Sequence, residues 1–519
     1  MLAIAHAACL QGIEAVPVQV EVRLGSGLPG IDIVGLPERG VKESRVRVQA
    51  ALETIGFALP PRRLMINLAP GDLRKTGSGF DLAIAVAILG ASGAIELDSL
   101  HRTLFVGELG LDGSLRGVPG VLAQLQAACI EGLEAAVVPL SNAHEASLAH
   151  AIDSRIANDI GEVVASLMNG ESLCVASAVH SNSLIAHAVS TDDLQHIRGQ
   201  ASARRVLEIA AAGKHNLLMS GPPGAGKSHL ARCLPSILPE PTPEEQLSIC
   251  TITTAAGLSI PKNASIERPF RAPHHNASAN AIAGGGDPVR PGEITLAHGG
   301  VLFLDEFPEF HRDAIEALRT SMQEGRVCIS RASHRVIMPA APLIVAAMNP
   351  CPCGYDGDPK FACHCGATRI AIYKRKLSGP ILDRFDLFID VQRLSTRELR
   401  EKSVGESSSV VKSRVQSAHD FLRHDASSIT LNNLAEHVSN DALRLLDEVS
   451  ETDGLSVRAY LKSLNVGRTI AALAGQTRVD APHLAEALRY RPRLATQHDD
   501  APARWRASKQ KGKTHEQQI

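Results

Sequence analysis

The sequence predicts an α/β protein of several domains, with a core of buried strands in its middle and a helical region after it. Three observations support this fold class. The chain has 519 residues, which is more than one hydrophobic core accommodates. Short apolar runs typical of buried strands alternate with helical patterns up to residue 394. From Ser395 to Tyr490 the apolar residues instead recur at helical spacing.

Changes in pattern along the chain predict five segments. They are, in order, a domain of strands and helices at 1–170, a linker at 171–200, an α/β core at 201–394, a helical domain at 395–495 and a basic, disordered tail at 496–519. In the first domain, the run Phe80–Gly90 is apolar and predicts a buried helix. The core begins with a predicted helix at Ala201–Ala212, which a glycine at Gly213 should stop. Its predicted buried strands are Asn216–Ser220, Val301–Leu304 and Leu343–Ala347.

The composition excludes several classes of protein. The chain is 44% hydrophobic and 21% charged with a net charge of −2, so it is not a polycation that coats nucleic acid, although local basic loops can still bind it. The sequence contains no run of eighteen apolar residues and no signal-peptide pattern at its start, so we expect no membrane span. Ten cysteines in so long a chain do not indicate a disulfide framework. We therefore expect a cytoplasmic protein.

A glycine-rich stretch after the first core strand matches the pattern G-x-x-x-x-G-K-[ST]. Its residues are Gly221, Pro222, Pro223, Gly224, Ala225, Gly226, Lys227 and Ser228. A loop of this type wraps backbone N–H groups around phosphate oxygens at the start of a helix. Lys227 would neutralise the β- and γ-phosphates of ATP, and Ser228 would ligate Mg²⁺. An accidental glycine-rich turn is the alternative, but the strand before the motif and the helix predicted at His229–Leu238 argue against it.

The second core strand ends in two acidic residues, Asp305 and Glu306. Downstream of a phosphate-binding loop, Asp305 would hold Mg²⁺ and Glu306 would polarise the attacking water. This pair favours ATP hydrolysis over a structural nucleotide-binding module. The alternative is a solvated strand end.

Three further polar residues are candidates for the same chemistry. Asn349 follows the third core strand and would orient water or sense the γ-phosphate, although Asn-Pro alone is more often a turn. Arg384 stands between two acids and is either an arginine finger or one partner of a local salt bridge. Arg458 in the helical region is a second candidate for sensing nucleotide.

Four cysteines form two close pairs, Cys351-x-Cys353 and Cys363-x-Cys365, separated by a predicted turn. Four thiolates on two arms can close a tetrahedral Zn²⁺ site, so we predict structural zinc here. Reduced cysteines in a loop without metal are the alternative, because one intervening residue is fewer than usual.

Several longer stretches of the chain resemble a known family. They are Gly35–Pro37, Val41–Arg45, Asn67–Pro70, Arg268–His275, Arg290–Ile294, Met348–Gly354 and Ser378–Arg384. With the phosphate motif, they make nearly the whole chain similar to the ComM/YifB family of magnesium-chelatase-like AAA+ proteins.

The resemblance implies an AAA+ module with a helix-2 insert at about 255–288, a hairpin at about 325–340 and a helical lid domain. It implies that Asn349 is sensor 1, Arg384 the arginine finger and Arg458 sensor 2. It also implies a hexameric, ATP-driven motor that promotes DNA branch migration in natural transformation. Arg331 and Arg335 on the basic hairpin would then grip DNA phosphates in the pore, whereas a solvated hairpin without a partner is the alternative.

The N-terminal region resembles the Lon-protease fold. That family needs a Ser nucleophile and a Lys base, and the matching positions here are Gly79 and Gln124. We therefore expect an inactive α+β scaffold. A chelatase-type motor that remodels a protein partner is the main alternative to a DNA motor, and an ATP-dependent protease is a weaker one.

Overall fold

A computed structural model describes residues 1–176, 192–260, 266–330, 335–358, 360–395, 398, 405–424, 429 and 433–491. Arg331, the predicted tail at 496–519 and the central part of the predicted linker, at 177–191, lie outside the described residues. In chain order the strands are β1 (Leu2–Gln11), β2 (Glu14–Leu24), β3 (Gly30–Val34), β4 (Arg63–Ala69), β5 (Thr103–Phe105), β6 (Glu108–Leu109), β7 (Leu115–Arg116), β8 (Ala135–Pro139), β9 (Asp153–Ala157), β10 (Cys174–Val175), β11 (Leu217–Ser220), β12 (Phe270–Arg271), β13 (Gly284–Gly285), β14 (Arg290–Pro291), β15 (Val301–Leu304), β16 (Arg326–Ser330), β17 (Arg335–Pro339), β18 (Leu343–Met348) and β19 (Leu387–Asp390).

The helices follow the same order. They are α1 (Arg39–Thr54), α2 (Asp81–Ala91), α3 (Val121–Ile130), α4 (Ala143–Ser147), α5 (Ile160–Asn169), α6 (Ala201–Gly213), α7 (Lys227–Cys233), α8 (Pro243–Ala255), α9 (Ala279–Ala283), α10 (Glu293–Leu296), α11 (Arg312–Glu324), α12 (Ala367–Arg375), α13 (Gly379–Leu382), α14 (Ser408–His424), α15 (Leu434–His437), α16 (Asn440–Asp453), α17 (Val457–Leu473) and α18 (Ala481–Arg489). Within the described residues, no helix is both long and apolar enough to span a membrane.

The chain divides into two compact units by spatial contact. The first contains the described residues up to 191 together with Glu240–Leu304 and Glu309–Leu343. The second contains Asp192–Pro239, Asp305–Pro308 and the described residues from Ile344 onward. The segment boundaries predicted from the sequence stay predictions.

The first unit is built on a mixed sheet of eight strands in the order β10-β9-β8-β5-β1-β2-β4-β3. Strands β1 and β2 form a long antiparallel pair, and β5, β8 and β9 are parallel neighbours. Every residue of α2 is buried in the core on this sheet, which confirms the apolar helix predicted there. Because α2 is apolar on every face after Asp81, which pairs with Arg47, it forms only where other elements cover each of its faces.

The same unit carries the predicted hairpin. Strands β16 and β17 pair antiparallel from Arg326↔Pro339 to Ser330↔Arg335. Val336 and Met338 on β17 share a buried cluster with Ile13, from the turn between β1 and β2, and with Ile252 on α8. Strand β17 of the hairpin is therefore held by apolar contacts to the β1–β2 turn and to α8.

The second unit contains three parallel strands in the order β18-β11-β19, with Leu217 opposite both Val345 and Leu387. Helices α14 to α18 follow, which confirms the helical C-terminal region. Together with the parallel core strands, they confirm the α/β class. One helix is shorter than predicted: α7 ends at Cys233 and continues as a short 3₁₀ turn over Leu234–Ile237, because Pro235 lacks the N–H that an α-helix needs.

Candidate nucleotide site

The glycine-rich loop lies between β11 and α7, both in the second unit. The glycines of the loop have different physical roles. A Cβ on Gly221 would lie 2.2 Å from the carbonyl O of Val391, so only glycine allows this close backbone approach. Gly226 has φ 92°, the left-handed conformation that releases the chain into α7 at Lys227. The loop therefore leads directly into the N-terminus of a helix, which is the setting in which backbone N–H groups bind phosphate.

Lys227 connects the loop to the end of β18. Its buried Nζ donates hydrogen bonds to Gly221 O at 2.5 Å, to Pro222 O at 3.1 Å and to Asn349 Oδ1 at 3.2 Å. Burial lowers the pKa of Lys227, while the nearby carboxylates of Asp305 and Glu306 act in the opposite direction. The structure thus brings together two of the predicted residues, Lys227 and Asn349.

Ser228 and Asp305 also meet. The Ser228 hydroxyl donates to Asp305 Oδ2 at 2.8 Å, and Asp305 Oδ1 accepts the backbone N–H of Glu306 at 3.0 Å. A hydroxyl and a carboxylate are hard oxygen donors, so this pair fits Mg²⁺. Glu306 is exposed and has φ 53°, a conformation that costs a non-glycine residue energy and is typical of functional sites.

The two predicted arginines occupy different environments. Arg384 is 7% exposed, and its Nη1 donates to Pro380 O at 2.5 Å, four residues earlier in the same chain. Arg458 is exposed in the first turn of α17. It is close enough to Lys462 to contribute, after burial, to the lowered pKa of that lysine. In this conformation the guanidinium of Arg384 is turned toward its own backbone.

Two residues that contact the loop were not predicted from the sequence. Gln200 Nε2 donates to Ala225 O at 3.4 Å and to Gln392 O at 2.6 Å, and Arg393 Nη2 donates to Pro223 O at 3.1 Å. Gln200 stands at the end of the predicted linker and Arg393 at the end of the predicted core. Neither matches a motif, so only the tertiary structure reveals these contacts.

Comparison with known proteins agrees with this geometry. Residues 193–399 match the family described as "Magnesium chelatase, subunit ChlI". Residues 20–142 match "Subunit ChlI of Mg-chelatase", and residues 405–491 match its C-terminal domain. The competence protein ComM of Haemophilus influenzae is 42% identical over 94% of this chain and 97% of its own length. The uncharacterized protein YifB of Escherichia coli is 39% identical over 94% of this chain and 97% of its own length.

The chain belongs to the ComM/YifB family of magnesium-chelatase-like AAA+ proteins. Membership confirms the resemblance that the motifs predicted. An AAA+ protein of the chelatase type is an ATPase that uses Mg²⁺, and the loop, Ser228 and Asp305 supply the groups for both.

The N-terminal domain also has a more distant relative. Lon protease 2 of Bacillus subtilis is 27% identical over 178 residues, which are 32% of this chain and 31% of that protein. The predicted dyad positions are Gly79 and a buried Gln124, whose Nε2 donates to Pro119 O at 3.3 Å. Nearby, the Ser78 hydroxyl donates to Glu108 and the buried Lys75 donates to Pro70 O. Ser78 and Lys75 therefore have other hydrogen-bond partners, and the geometry gives no support to proteolysis.

The four predicted zinc ligands converge in the second unit. The Sγ atoms of Cys351, Cys353, Cys363 and Cys365 all lie within 4.8 Å of one another. Cys351 is buried, and the other three are half-buried. Cys363 Sγ accepts the backbone N–H of Cys365 at 3.4 Å, and a hydrogen bond from the backbone of Tyr355 lowers the pKa of Cys353 to about 6. This donor set fits a soft metal such as Zn²⁺.

Of the two predicted DNA-contacting arginines, the structure describes Arg335. It is exposed on β17, and its Nε donates to the sulfur of Cys328 across the hairpin at 2.7 Å. This hydrogen bond lowers the pKa of the Cys328 thiol. Arg331 lies outside the described residues.

Proposed function

We propose that this protein is an ATP-driven DNA motor. It works as a homo-hexamer in the cytoplasm and performs branch migration or unwinding on recombination intermediates, as in natural transformation. The observation that carries the ATPase part is the joint arrangement of Lys227 with Asn349 and of Ser228 with Asp305 around one loop. The name of the Haemophilus relative, competence protein, supports the biological role.

The residues have separate tasks in hydrolysis. The loop N–H groups and Lys227 bind the β- and γ-phosphates, and Mg²⁺, when held by Ser228 and Asp305, neutralises charge on their oxygens. Glu306 accepts a hydrogen bond from the attacking water and orients it. Asn349, hydrogen-bonded to Lys227, detects whether the γ-phosphate is present.

Assembly supplies the remaining charge. Arg384 would reach the γ-phosphate of a neighbouring protomer, and Arg458 would follow the nucleotide from the lid. In the single chain the Arg384 side chain is buried. This role therefore requires its guanidinium to leave Pro380 O when the neighbouring protomer docks.

The hairpin supports the DNA part of the proposal. Arg335 is exposed in the strand pair next to the hairpin turn, and the following β17 residues Val336 and Met338 are packed in a buried cluster, so its charge is carried on a fixed support. Arg331, which lies outside the described residues, would add a second charge. Arginines on such a hairpin bind backbone phosphates without reading bases, which suits a motor that moves along any sequence.

The test is the rate of ATP hydrolysis without DNA and with single-stranded, duplex and forked DNA. We expect DNA to raise the rate, and the double variant Arg331→Glu, Arg335→Glu to lose that rise while keeping basal hydrolysis. Arg444→Glu, at an arginine that is 83% exposed on α16, is the matched control and should behave like the wild type. A rate that no form of DNA changes would contradict the DNA motor.

The match to magnesium chelatase models over three segments favours one second candidate, a motor that remodels a protein partner. Such a protein would hydrolyse ATP without DNA stimulation, and charge reversal on the hairpin would leave hydrolysis unchanged. The same experiment therefore separates the two functions.

A further inference from the structure

The cysteine cluster has the dimensions of a metal site. The Sγ–Sγ distances are 3.3 Å for Cys351–Cys353, 3.6 Å for Cys351–Cys363 and 3.6 Å for Cys353–Cys363. Tetrahedral zinc with Zn–S bonds of about 2.3 Å separates its sulfurs by about 3.8 Å, whereas a disulfide joins them at about 2.05 Å. The thiols are therefore spaced for a shared metal and are too far apart for a disulfide.

The loop that carries these cysteines, residues 351–365 (the cysteine loop), touches the phosphate-binding loop directly. Gly354 follows Cys353, and a Cβ on it would lie 2.5 Å from Cδ of Pro223, so the backbone of Gly354 packs closely on the Pro223 ring. Gly354 has φ 85° and donates its N–H to Cys351 O at 2.9 Å, which closes the first cysteine arm as a tight turn. The first arm therefore supports Pro223 from one side.

A second connection runs through Arg393. Its guanidinium lies 4.8 Å from the ring centroid of Phe361, in the second arm of the cysteine loop, and donates to Pro223 O at 3.1 Å. Phe361 also packs on Tyr355 with ring centroids 5.3 Å apart. The third connection is covalent, because Asn349, the hydrogen-bond partner of Lys227, is only two residues before Cys351.

We propose that the four cysteines bind one structural Zn²⁺ and that this metal site positions the phosphate-binding loop, so that ATP affinity depends on zinc. This inference rests on the proposed ATPase function and adds a positioning role outside the phosphate motif. Four protein ligands leave no open coordination position, so the metal takes no part in hydrolysis.

The physical reason is that a metal would tie the two arms of the cysteine loop together at the sulfurs, in addition to the contact between Tyr355 and Phe361. Three of the four cysteines are only half-buried, so burial alone does not hold all four sulfurs in place. Without metal the arms separate, Phe361 no longer supports Arg393, and Pro223 and Asn349 lose a fixed neighbour. A misplacement of about 1 Å in an enzyme site can lower the reaction rate up to about a hundredfold. For a displaced phosphate-binding loop we expect ATP to bind about tenfold more weakly.

The experiment uses the full-length protein and two direct measurements, zinc per chain by elemental analysis and the dissociation constant of a fluorescent ATP analogue. The wild type should contain one zinc per chain. The variant Cys363→Ser, Cys365→Ser should lose zinc and bind the analogue about tenfold more weakly. Cys129→Ser removes an exposed thiol outside the cluster and should change neither quantity.

A second variant keeps the test informative if the cysteine variant does not fold. Arg393→Ala leaves all four ligands in place, so it should retain zinc and still weaken binding of the analogue. The control is Arg369→Ala, at an exposed arginine on α12. Weaker binding in Arg393→Ala but not in Arg369→Ala supports the connection through Arg393.

The outcomes separate this inference from the proposed function. Wild-type protein without zinc, or zinc-free and Arg393→Ala variants with wild-type affinity for the analogue, would overturn the positioning role and leave the ATPase intact. Wild-type protein that contains zinc but binds no ATP would instead remove the proposed function, and the inference with it.

Discussion

At the scale of single residues, Glu306 combines a strained backbone with an exposed carboxylate. Its φ of 53° is compatible with the site because Asp305 Oδ1 accepts the Glu306 N–H at 3.0 Å and fixes the turn. Lys227 is the opposite case, with a buried ammonium that three oxygen atoms satisfy. The exposed carboxylate of Glu306 lies at the protein surface, whereas the Lys227 ammonium is held where phosphate charge must be neutralised.

This contrast predicts different defects for the two residues. Lys227→Ala should abolish ATP binding, because it removes the charge that faces the phosphates. Glu306→Gln should retain ATP binding and lower turnover by about a hundredfold or more, because the amide no longer activates water. Equilibrium binding of a fluorescent ATP analogue and steady-state phosphate release distinguish these defects. Normal turnover in Glu306→Gln would refute the assignment.

The sequence predicts the residues that bind phosphate but not those that support them. A glycine-rich motif has a fixed spacing, so Gly221 to Ser228 could be found without coordinates. Gly213 was predicted as a helix stop, yet the left-handed residue is Lys214, with φ 53°. Position 213 requires glycine because a Cβ there would lie 2.2 Å from Nε2 of His215. The same Cβ would lie 2.5 Å from Oγ1 of Thr469, a residue distant in sequence, so no local pattern predicts this close approach.

At the scale of elements, the turn between β1 and β2 packs against strand β17 of the hairpin. Gly12 has φ 67°, and a Cβ on it would lie 2.7 Å from Cγ1 of Val336. Ile13 is buried in the same cluster as Val336 and Met338. The period of each strand predicts the sheet and the hairpin separately, but their contact joins residues more than 300 positions apart and could not be predicted. The N-terminal domain thus supports the element that carries Arg335.

Gly12→Ala should therefore reduce the stimulation of ATP hydrolysis by DNA and leave basal hydrolysis unchanged. The new methyl group pushes on Val336 and tilts the hairpin. Gly56→Ala is the matched control, because Gly56 has a similar φ of 79° but no atom within 4 Å of the new Cβ. Both variants should lose about 1 kcal/mol of stability from backbone strain. Equal DNA stimulation in the two variants would contradict a supporting role for the turn.

His215, two residues before β11, contacts the lid helix α17 and makes this contact sensitive to pH. It is buried, and its Nε2 lies 2.8 Å from Oγ1 of Thr469. Burial lowers the pKa of His215 below its usual 6.5, with Asp386 opposing this effect and Lys462 adding to it. The unfolded chain therefore binds the proton more readily than the folded one. The free energy of unfolding is therefore highest above pH 6.5, and it decreases as the pH falls from there toward the pKa of His215 in the folded state.

Thermal unfolding of the wild type and of His215→Gln, followed from about pH 7.5 to about pH 5, measures this effect, because histidine ordinarily titrates in this range. As pH falls, the Tm of the wild type should decrease more steeply than that of the variant. The corresponding loss of unfolding free energy is up to about 1.4 kcal/mol per pH unit. Glutamine retains a hydrogen-bonding amide but does not titrate. Parallel curves would show that another group controls the pH dependence.

At the scale of the whole molecule, the role proposed for Arg384 cannot be fulfilled within one chain as it stands. The residue is 7% exposed, and its Nη1 is hydrogen-bonded to Pro380 O. The sequence left two interpretations open, an arginine finger and a local contact, because a motif names the residue but not the protomer on which it acts. The single chain contains the local contact with Pro380 O, whereas a role as arginine finger can be observed only in an assembled ring.

Mixing two inactive variants tests whether Arg384 acts on a neighbour. Lys227→Ala lacks a working phosphate loop but keeps Arg384, whereas Arg384→Ala keeps the loop. If Arg384 completes the site of the adjacent protomer, a mixed ring contains interfaces with both groups intact. ATP hydrolysis should then recover to a fraction set by random mixing, about a quarter of the wild-type rate at equal amounts if each interface works independently.

The control for that experiment mixes Lys227→Ala with Glu306→Gln. Both changes lie in the same protomer's half of the site, so mixing restores no interface and hydrolysis should stay at background. Recovery in the first mixture and none in the second requires an active site shared between protomers. No recovery in either mixture, with assembled rings seen by mass photometry, would mean that Arg384 acts inside its own chain, as its contact with Pro380 O indicates for the isolated protomer.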